Sequence, residues 1–479
     1  MSLVAEIDLA PRPLVVDLDG TLIRSDMLVE TFFALLSSKP LRGLMALLSL
    51  RHGRAALKAR LASEATLDLS GLPLNEALVA FLRAEKAKGR RIYLATAADE
   101  RLARGIADRL GLFDGVFASN GILNLKGANK AAVLREAFGD GGFDYAGDAA
   151  ADLDVWKDAG EVILVNADRG LTRTVTRRFP EARIIAPRTT SLSDYRRALR
   201  IHQWIKNLLV FIPAFTAHRF DAVLGPGPLL AFLSFSLCAS SVYVLNDLLD
   251  LRNDRDHPVK RHRPFASGRI DVLNGLWIAP ASLLLAALLT LFLPAQFALT
   301  LVIYYGLTLA YSMVLKRQMA LDVIVLACLY GMRLLAGAAA VGVVLSPWLV
   351  TFAIFFFLGL ALVKRWGELL ERVEKGKGDP AGRGYRNGDL PILQTMAAAS
   401  GYIAVLIFGL YINSPTVAEL YSTPDLLWII PLILLYWLSR VLIITHRGEM
   451  HDDPVVFAAK DGTSIACAVL MGLVLVMAI

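Results

Sequence analysis

Two different patterns of hydrophobic positions divide the chain near residue 200. Before this point, short apolar runs alternate with charged stretches of helical periodicity. The apolar runs predict strands at residues 14–17, 92–96, 115–118, 143–146, 162–165 and 184–185. Alternation of strands with helices is typical of a parallel sheet, so this part is predicted to be an α/β domain. The stretch 27–87 contains no clear strand and is predicted to be a helical insertion.

After residue 200 the chain consists mainly of long apolar runs. Nine candidates lie at 205–217, 229–249, 272–293, 296–315, 320–341, 348–363, 391–412, 426–444 and 456–478. A transmembrane helix needs about 20 apolar residues to cross a hydrocarbon core ~30 Å thick, and most of these runs reach that length. The first and the sixth are short. The pattern predicts an all-α, polytopic membrane domain of about nine transmembrane helices.

The charge content of the two parts differs as strongly as their patterns. Charged residues make up 54 of the first 200 positions but only 39 of the remaining 279. The whole chain of 479 residues is 56% hydrophobic, which is too apolar for a soluble protein of this size and excludes disorder. We therefore predict a soluble domain at 1–195 and a membrane domain at 196–479. The net charge of +7 is small for this length and does not imply a nucleic-acid partner.

The distribution of Lys and Arg predicts the orientation in the membrane. The connections 250–271 and 364–390 carry six and seven basic residues, whereas the alternate connections carry only Arg219. Because basic loops stay on the cytoplasmic side, the basic connections and the N-terminal domain are predicted to be cytoplasmic and the C-terminus to lie outside the cell membrane. The first apolar run is of strand length and does not resemble the hydrophobic region of a signal peptide.

A pair of carboxylates follows the first predicted strand. Asp17 and Asp19 are two residues apart, so one could attack phosphorus while the other donates and then accepts a proton. The carboxyl ends of parallel strands share one edge of a sheet, where a site forms in the crevice. Residues that offer a hydroxyl, a cation and oxygen ligands for Mg²⁺ occur further along, at Thr96, Lys130, Asp148 and Asp152.

These residues, in this order, resemble the four motifs of the haloacid-dehalogenase-like (HAD) phosphatases over about residues 12–190. The resemblance implies a Rossmann-like fold and an aspartyl-phosphate mechanism, with Asp17 as nucleophile and Asp19 as acid and base. It also implies a Mg²⁺ site at the aspartates and a phosphate site at the hydroxyl and the cation. The metal residues would be Asp17, Asp19, Asp148 and Asp152, and the phosphate would contact Thr96 and Lys130. The helical insertion, at about 25–88, would be the cap. The alternative is an inactive domain that docks a partner or regulates the membrane half.

A cluster of acidic residues ends the second apolar run. Asp247, Asp250 and Asp254 follow Asn246 with spacings of three and four, which places them on one face if the helix continues. Three carboxylates there repel one another unless a cation binds them, and Mg²⁺ held by carboxylates and by a substrate's phosphates fits this need. Cations for phosphate follow directly, at Lys260, Arg261 and Arg263. The alternative for these cations is membrane topology alone.

Further polar residues lie at the ends of, or within, later apolar runs. Charged residues inside membrane segments are candidates for function. Arg333 lies within an apolar run and needs an anionic partner, from either the protein or a ligand. Lys206 follows Trp204, so an interfacial anchor is an alternative for it. The candidates for binding an anionic group are Lys206, Tyr311, Lys316, Asp322, Arg333 and Lys364.

The membrane half resembles the UbiA-type intramembrane prenyltransferases over about 197–479, because of its NDxxDxxxD run and its nine segments. Aromatic prenyltransferases carry a second DxxxD motif, but here Asp322 is followed by Leu326 instead of a second acid. Four further stretches look like decaprenyl-phosphate phosphoribosyltransferases. They are QWxKN at 203–207, HPxKRxRP at 257–264, YSxxLK at 311–316 and HDDPV at 451–455.

This resemblance implies Mg²⁺-dependent transfer of 5-phosphoribose from 5-phosphoribosyl diphosphate to a polyprenyl (decaprenyl) phosphate. Diphosphate leaves, and the lipid product is a precursor of arabinose donors for cell-wall polymers. The N-terminal domain is expected to remove the 5-phosphate. The alternative is an aromatic-acceptor prenyltransferase that uses a polyprenyl diphosphate, with a docking or regulatory N-terminal domain. The expected partners are the two substrates and the bilayer, and the sequence is compatible with a homo-oligomer.

Overall fold

The structure, a computed structural model, describes residues 11–120, 124–188, 190–219, 221, 223, 225–380, 384–450 and 453–479. These residues divide into two compact units. The first comprises the chain up to Leu199 together with Tyr243–Ile278, and the second comprises Arg200–Val242 and Ala279–Ile479. The acidic run, defined as Asp247, Asp250 and Asp254, therefore belongs to the unit that contains the predicted phosphatase, although the sequence predicted a single boundary at 195. Residues 451 and 452 of the HDDPV stretch lie outside the described residues.

A six-stranded parallel sheet forms the centre of the first unit. Its strands are β1 (Leu14–Val16), β2 (Ile92–Asp99), β3 (Gly115–Ser119), β4 (Asp144–Gly147), β5 (Val162–Val165) and β6 (Arg183–Ile185). Their order is β3-β2-β1-β4-β5-β6. Strands β1 and β5 are apolar and buried along their whole length, as expected where helices cover both faces of a sheet. The predicted α/β class is confirmed, and β1 pairs with both β2 and β4.

Helices surround this sheet and form the insertion after β1. The helices between and after the strands are Glu76–Ala87, Glu100–Leu110, Ala128–Phe138, Leu153–Trp156, Arg169–Arg178 and Leu192–Ala198, with a 3-10 turn at Ala150–Asp152. The insertion contains α-helices Met27–Ser38, Pro40–Ala46 and Arg54–Glu64, with 3-10 turns Leu47–His52 and Leu69–Gly71. It has its own small core of Leu35, Ala46, Leu57 and Leu61. Helix Glu76–Ala87 packs on the sheet through Leu78 and Leu82, whereas the assignment of about 25–88 as a cap stays a prediction.

Long apolar helices form most of the remaining chain. The α-helices are Ile212–Thr216, Pro226–Leu249, Leu251–Asp256, Val272–Thr290, Ala295–Met313, Leu321–Val341, Pro347–Glu374, Leu390–Ile412, Pro415–Leu420, Ile429–His446, Pro454–Lys460 and Gly462–Ala478. The 3-10 helices are Ile201–Phe211, Lys260–His262, Leu315–Arg317, Asn387–Asp389 and Pro424–Trp428. In the described part of the chain, seven helices are long and apolar enough to cross a membrane, or eight if the last pair, bent by 82°, is one span.

The predicted segment 205–217 does not form a helix of membrane length. Its residues form the 3-10 helix Ile201–Phe211 and then the five-residue helix Ile212–Thr216. Pro213 lies at the start of that short helix, the position that tolerates a residue without a backbone N–H. The 3-10 helix packs closely on helix Leu321–Val341, because a Cβ added to Gly337 would lie only 2.0 Å from Val210 O. A small residue is therefore required at this crossing.

Candidate active sites

The first candidate site lies at the carboxyl end of β1. Asp17 follows this strand and is 8% exposed, and its Oδ1 lies 2.9 Å from Lys130 Nζ. The same oxygen accepts the N–H of Leu18 at 2.8 Å. The carboxylate of Asp19 accepts the N–H of Met27, the first residue of the cap helix, at 2.8 Å. One loop thus holds both predicted catalytic carboxylates, each with a defined hydrogen-bond partner.

The loop after β1 closes tightly against the end of β4. Gly20 has a φ of +78°, and a Cβ there would lie 2.0 Å from Asp148 Oδ2. Thr21 Oγ1 donates to Asp148 Oδ1 at 3.0 Å, and Asn166 Nδ2 donates to Gly20 O at 2.9 Å. Only glycine fits both the left-handed backbone and the close approach. The neighbouring ends of β1 and β4 are therefore joined by direct contacts, as the topology predicts.

Three carboxylates converge at this point. Ligand oxygens of Asp17, Asp148 and Asp152 lie within 4.8 Å of one another, and they are the one such group of three or more possible metal ligands in the described residues. Asp152 also accepts from Tyr145 Oη at 2.9 Å and from the N–H of Ala149 at 3.0 Å, so it orients the loop after β4. Hard oxygen ligands at this spacing fit Mg²⁺. Asp19 lies outside this group.

Burial sets the charge state of the cluster. It raises the pKa of Asp17 to about 6, although Lys130 opposes this shift, and it raises the pKa values of Asp19 and Asp148 well above their ordinary value. Burial also disfavours the ammonium of Lys130, but the carboxylates of Asp17 and Asp152 outweigh this and raise the pKa of the lysine. Crowded buried carboxylates beside one cation favour a further cation at the site.

Two more side chains belong to this end of the sheet. Thr96 lies fully buried within β2, where its Oγ1 accepts the N–H of Ala98 at 2.9 Å. Lys58 of the cap donates to Ala97 O at 2.6 Å. Burial lowers the pKa of Lys58, and the carboxylates of Asp19 and Asp26 oppose that shift. The sequence did not single out Lys58, because a lysine on an amphipathic helix of an insertion resembles an ordinary surface residue.

The acidic run forms the second candidate site. Helix Pro226–Leu249 ends just before Asp250, but the N–H of Asp250 donates to Asn246 O at 2.9 Å and that of Asp254 to Asp250 O at 2.8 Å. The helical hydrogen bonding thus continues through the break. Arg263 Nη1 lies 3.1 Å from Asp247 Oδ1 and 2.7 Å from Asp254 Oδ2. The first and third predicted aspartates therefore share one guanidinium.

The structure does not gather the whole acidic run into one ligand group. Within the described residues, Asp247, Asp250 and Asp254 do not converge as the phosphatase aspartates do. Burial raises the pKa of Asp254, and Arg263 opposes this. Lys260 and Arg261 are exposed in the turn that follows. Their roles as phosphate ligands, and the metal role of the run, stay predictions.

A buried polar cluster in the second unit contains Tyr311 and Asp322. Tyr311 Oη donates to Asp322 Oδ1 at 2.7 Å, and Asp322 is fully buried. Arg365 Nη2 contacts Tyr311 Oη at 3.0 Å and Asp322 Oδ1 at 3.1 Å, and the guanidinium also contacts Glu368. Asp322 is thus paired with an arginine. Lys316 lies half-buried in the turn Leu315–Arg317.

A second cluster in the same unit is centred on Asp453. Its Oδ2 lies 2.9 Å from both Lys206 Nζ and Lys364 Nζ, and its Oδ1 accepts from Tyr330 Oη at 3.0 Å. The contact brings together two predicted binding residues that are far apart in sequence. Lys206 is therefore more than an interfacial anchor, because its ammonium is buried in an ion pair.

Arg333 belongs to helix Leu321–Val341, and aromatic side chains surround its guanidinium. Its Nε donates to Asn207 Oδ1 at 2.9 Å, and its guanidinium carbon lies 5.1 Å from the ring centre of Tyr330. Phe235 and Tyr304 contact the same guanidinium at 5.3 and 5.5 Å. Cation–π contacts of this kind stabilise a desolvated arginine. The partners of Arg333 thus include an amide oxygen, the backbone carbonyl of Leu329 and aromatic rings, whereas the sequence predicted an anionic partner.

Five further residues make buried polar contacts but were not among the candidates predicted from the sequence: Glu30, Lys58, Arg255, Arg365 and Asp453. Arg365 had a usable signal, because it is a charge at the end of an apolar run beside the predicted Lys364. Asp453 lay within a stretch that resembled a family motif. Glu30 and Arg255 carried no signal, since only the folded structure brings them together.

The chain thus combines a parallel-sheet domain that carries an aspartate cluster with a set of apolar helices that carry buried charges. The family model of the UbiA prenyltransferase family matches residues 209–460, and that of haloacid dehalogenase-like hydrolases matches residues 14–157. The chain belongs to the UbiA prenyltransferase family and carries an N-terminal HAD-like domain. It is an integral membrane protein.

Three curated relatives show which parts of the chain are similar to other proteins. "Uncharacterized protein y4nM" of Sinorhizobium fredii is 40% identical over 97% of this chain and 91% of its own length. "Nodulation protein NoeC" of Azorhizobium caulinodans is 35% identical over 59% of this chain and 93% of its own. A "Decaprenyl-phosphate phosphoribosyltransferase" of Mycolicibacterium smegmatis is 31% identical over 50% of this chain and 76% of its own. The first is thus similar to nearly the whole chain, and the others to about half of it.

Proposed function

We propose that this protein transfers 5-phosphoribose from 5-phosphoribosyl diphosphate to a polyprenyl phosphate, such as decaprenyl phosphate, at the cytoplasmic face of the cell membrane. The observation that carries the proposal is the similarity of the membrane half to proteins named decaprenyl-phosphate phosphoribosyltransferase, combined with the acidic run and its arginine. A phosphate oxygen of the lipid forms a bond to C1 of the ribose, and the bond from C1 to diphosphate breaks.

The acidic run is proposed to bind the leaving diphosphate through Mg²⁺. Asp247, Asp250 and Asp254 supply the carboxylates, and the bound ion would neutralise charge on the leaving group. Arg263 contacts two of these carboxylates, so its guanidinium lies where it could also bind the diphosphate. Lys260 and Arg261 lie a few residues after the acidic run and are exposed to solvent. They are therefore proposed to bind the 5-phosphate or the diphosphate.

The buried cations of the second unit are proposed to bind the lipid phosphate. Lys206 and Lys364 share the single carboxylate of Asp453, so the three groups carry a net positive charge. Tyr311, Lys316 and Arg333 are further candidates from the same unit. Charge-assisted hydrogen bonds to phosphate are short and strong, which suits a dianionic lipid head group.

The N-terminal domain is proposed to remove the 5-phosphate from the lipid product. Asp17 attacks the phosphorus while Asp19 protonates the leaving ribose oxygen, and Asp19 then takes a proton from the water that hydrolyses the aspartyl phosphate. Bound Mg²⁺ would neutralise the phosphate oxygens beside Asp148. Lys130, held 2.9 Å from Asp17, keeps a positive charge beside the phosphoryl group, and Thr96 is a hydroxyl candidate for the same group.

The proposal is tested by incubating the purified protein in lipid nanodiscs with 5-phosphoribosyl diphosphate, polyprenyl phosphate and Mg²⁺. The lipids are then analysed by mass spectrometry. The unaltered protein should form polyprenyl-phosphoryl ribose, Asp17→Asn should accumulate the 5-phosphorylated lipid, and Asp247→Asn should form neither. Asp154→Asn is the matched control, because Asp154 is an exposed partner of Lys157. Equal products from the unaltered protein and Asp17→Asn would refute the phosphatase step.

An aromatic-acceptor prenyltransferase is the second candidate, since the family includes such enzymes. The absence of a second acid after Asp322, where Leu326 stands, counts against it, because the DxxxD motif of aromatic prenyltransferases is then incomplete. Radiolabelled 5-phosphoribosyl diphosphate separates the two candidates. Label in the lipid fraction supports phosphoribosyl transfer, whereas label that stays in water while a polyprenyl diphosphate is consumed supports prenyl transfer.

A further inference from the structure

A buried ion pair within the first unit joins two segments that are 225 residues apart. Arg255 Nη2 and Nη1 lie 2.6 and 2.9 Å from the two carboxylate oxygens of Glu30. The two side chains are 8% and 2% exposed. Ser25 Oγ also donates to Glu30, and Arg255 Nε donates to Ala266 O at 3.1 Å. The pair is bidentate, and each side chain has a further hydrogen bond to its own surroundings, so the geometry is restrained on both sides.

On the Glu30 side, the pair lies one helical turn from the phosphatase centre. Glu30 belongs to the first turn of the cap helix Met27–Ser38, and the N–H of Met27 donates to Asp19 Oδ1. Asp26 caps the same helix by accepting the N–H of Leu28 at 2.8 Å. Because the turn is rigid, a displacement of Glu30 also displaces the donor that holds the carboxylate of Asp19.

On the Arg255 side, the pair supports the acidic run. Arg255 follows Asp254 within the helix Leu251–Asp256, and Asp254 is held by Arg263 at 2.7 Å. Through Ala266 O, the same guanidinium also anchors the chain that follows Arg263. Arg255 therefore links the start of segment 255–266 to its end at Ala266, and this segment contains Arg263, the partner of Asp254.

Packing alone does not fix the ion pair in its position. A partly open pocket of about 240 Å³ lies beside it, lined by Glu30, Phe33, Asp68, Arg252, Arg255 and Asp256, so side-chain packing does not surround the pair on all sides. A buried ion pair also contributes less stability than apolar residues of the same volume would, so it is weak as a purely structural device.

We propose that Glu30 and Arg255 are positioning residues that couple the phosphatase centre to the acidic run of the transferase. The pair fixes Asp19 through the first turn of the cap helix, and it fixes Asp254 through the loop that Arg255 anchors. The proposal rests on the proposed function, because it requires chemistry at both places. It adds that the phosphatase centre depends on Arg255, which lies beside the acidic run, and that the acidic run depends on Glu30, which lies beside the phosphatase centre.

The test measures hydrolysis of p-nitrophenyl phosphate by the full-length protein in nanodiscs with Mg²⁺. This substrate needs no transferase step. Arg255→Gln, made more than 100 residues after the last phosphatase motif, should lower kcat about tenfold or more while leaving KM within about twofold, because displaced catalytic groups slow the chemical step. Arg255→Lys should retain part of the rate, because it keeps the charge. In the reciprocal measurement, Glu30→Gln should lower transfer of ribose to lipid.

Controls separate coupling from general loss of structure. Glu64→Gln removes a half-buried cap carboxylate that pairs with Arg60, and it should leave both rates unchanged. The double variant Glu30→Gln/Arg255→Gln should be no slower than the slower single variant, because one interaction is lost in all three. Unchanged hydrolysis by Arg255→Gln, or additive losses in the double variant, would overturn the coupling. If the unaltered protein hydrolyses p-nitrophenyl phosphate in an Arg255-dependent way but forms no ribosylated lipid, the coupling stands and the proposed substrates fail.

Discussion

Replacement of Asp453 by asparagine perturbs the buried charge cluster of the second unit with little change in shape. The carboxylate lies 2.9 Å from the ammonium nitrogens of Lys206 and Lys364 and accepts a hydrogen bond from Tyr330. Asp453→Asn removes the negative charge between the two cations and leaves them to repel each other. The variant therefore tests whether this cluster is an anion site or only a structural ion pair.

The distances set the size of the effect. Two unit charges 2.9 Å apart attract by roughly 6 kcal/mol at an effective dielectric constant of about 20, and desolvation offsets much of this. Removing one partner of a buried ion pair costs about 3–5 kcal/mol. The side chain of Lys364 is 31% exposed, so water screens part of its contribution. We expect a loss of about 3 kcal/mol in the free energy of unfolding.

Thermal unfolding in nanodiscs, followed by tryptophan fluorescence, measures the effect. Asp453→Asn should lower Tm by several degrees, and polyprenyl phosphate should raise the Tm of this variant more than that of the unaltered protein, because the lipid phosphate restores a negative charge. Asp221→Asn is the control, since its pair with Arg219 is exposed and contributes about 0–1 kcal/mol. Equal Tm values for the two variants would refute the energetic reasoning, and equal stabilisation by the lipid would refute the anion site.

Three further predictions concern the remaining contacts. Gly20→Ala should lower p-nitrophenyl phosphate hydrolysis about a hundredfold, because its Cβ would displace Asp148; a rate within twofold of the unaltered protein contradicts this. Because burial raises the pKa of Asp17 to about 6, the metal-free fold gains stability as pH falls through this value, and Mg²⁺ loses its carboxylate ligand. Added Mg²⁺ should therefore raise Tm more at pH 7.5 than at pH 5.5, and the opposite order contradicts the assignment. Arg263→Gln should lower transfer to the lipid at least tenfold, measured by radiolabel, while p-nitrophenyl phosphate hydrolysis changes less; equal losses in both assays would contradict a local role.

The sheet and the aspartate cluster at its carboxyl edge were predictable because their signals are local. Strand β1 is a short apolar run that is buried on both faces, and Asp17 and Asp148 each follow a strand that the pattern identifies. Once the strands are parallel, their carboxyl ends meet at one edge, so Asp17 and Asp148 come together without any further information.

The membrane half was predictable in class but less so in detail. Apolar length alone suggested a span at 205–217, but Pro213 and the polar residues before it favour a 3-10 helix and a short α-helix. The spacing of the acidic run assumed a continuous helix, and the helical hydrogen bonds do continue across Asp250. What the spacing could not indicate is that Arg263 bridges the first and third carboxylates.

Pairings between distant segments could not be predicted from one sequence. Asp453 pairs with both Lys206 and Lys364, and Glu30 pairs with Arg255, yet each residue type alone is compatible with a solvated surface. Such contacts depend on how elements pack, which hydrophobic periodicity does not encode. They also carry much of the proposed chemistry, since buried charge binds anions and positions catalytic groups.

The most direct test of the central claim supplies 5-phosphoribosyl diphosphate with ¹³C-labelled ribose, together with polyprenyl phosphate and Mg²⁺, to the full-length protein in nanodiscs. The mass of the labelled lipid is then followed over time. The proposed function predicts that ¹³C-ribose enters the lipid first with its 5-phosphate and then without it. A lipid fraction that acquires no ¹³C while the donor remains intact would contradict it.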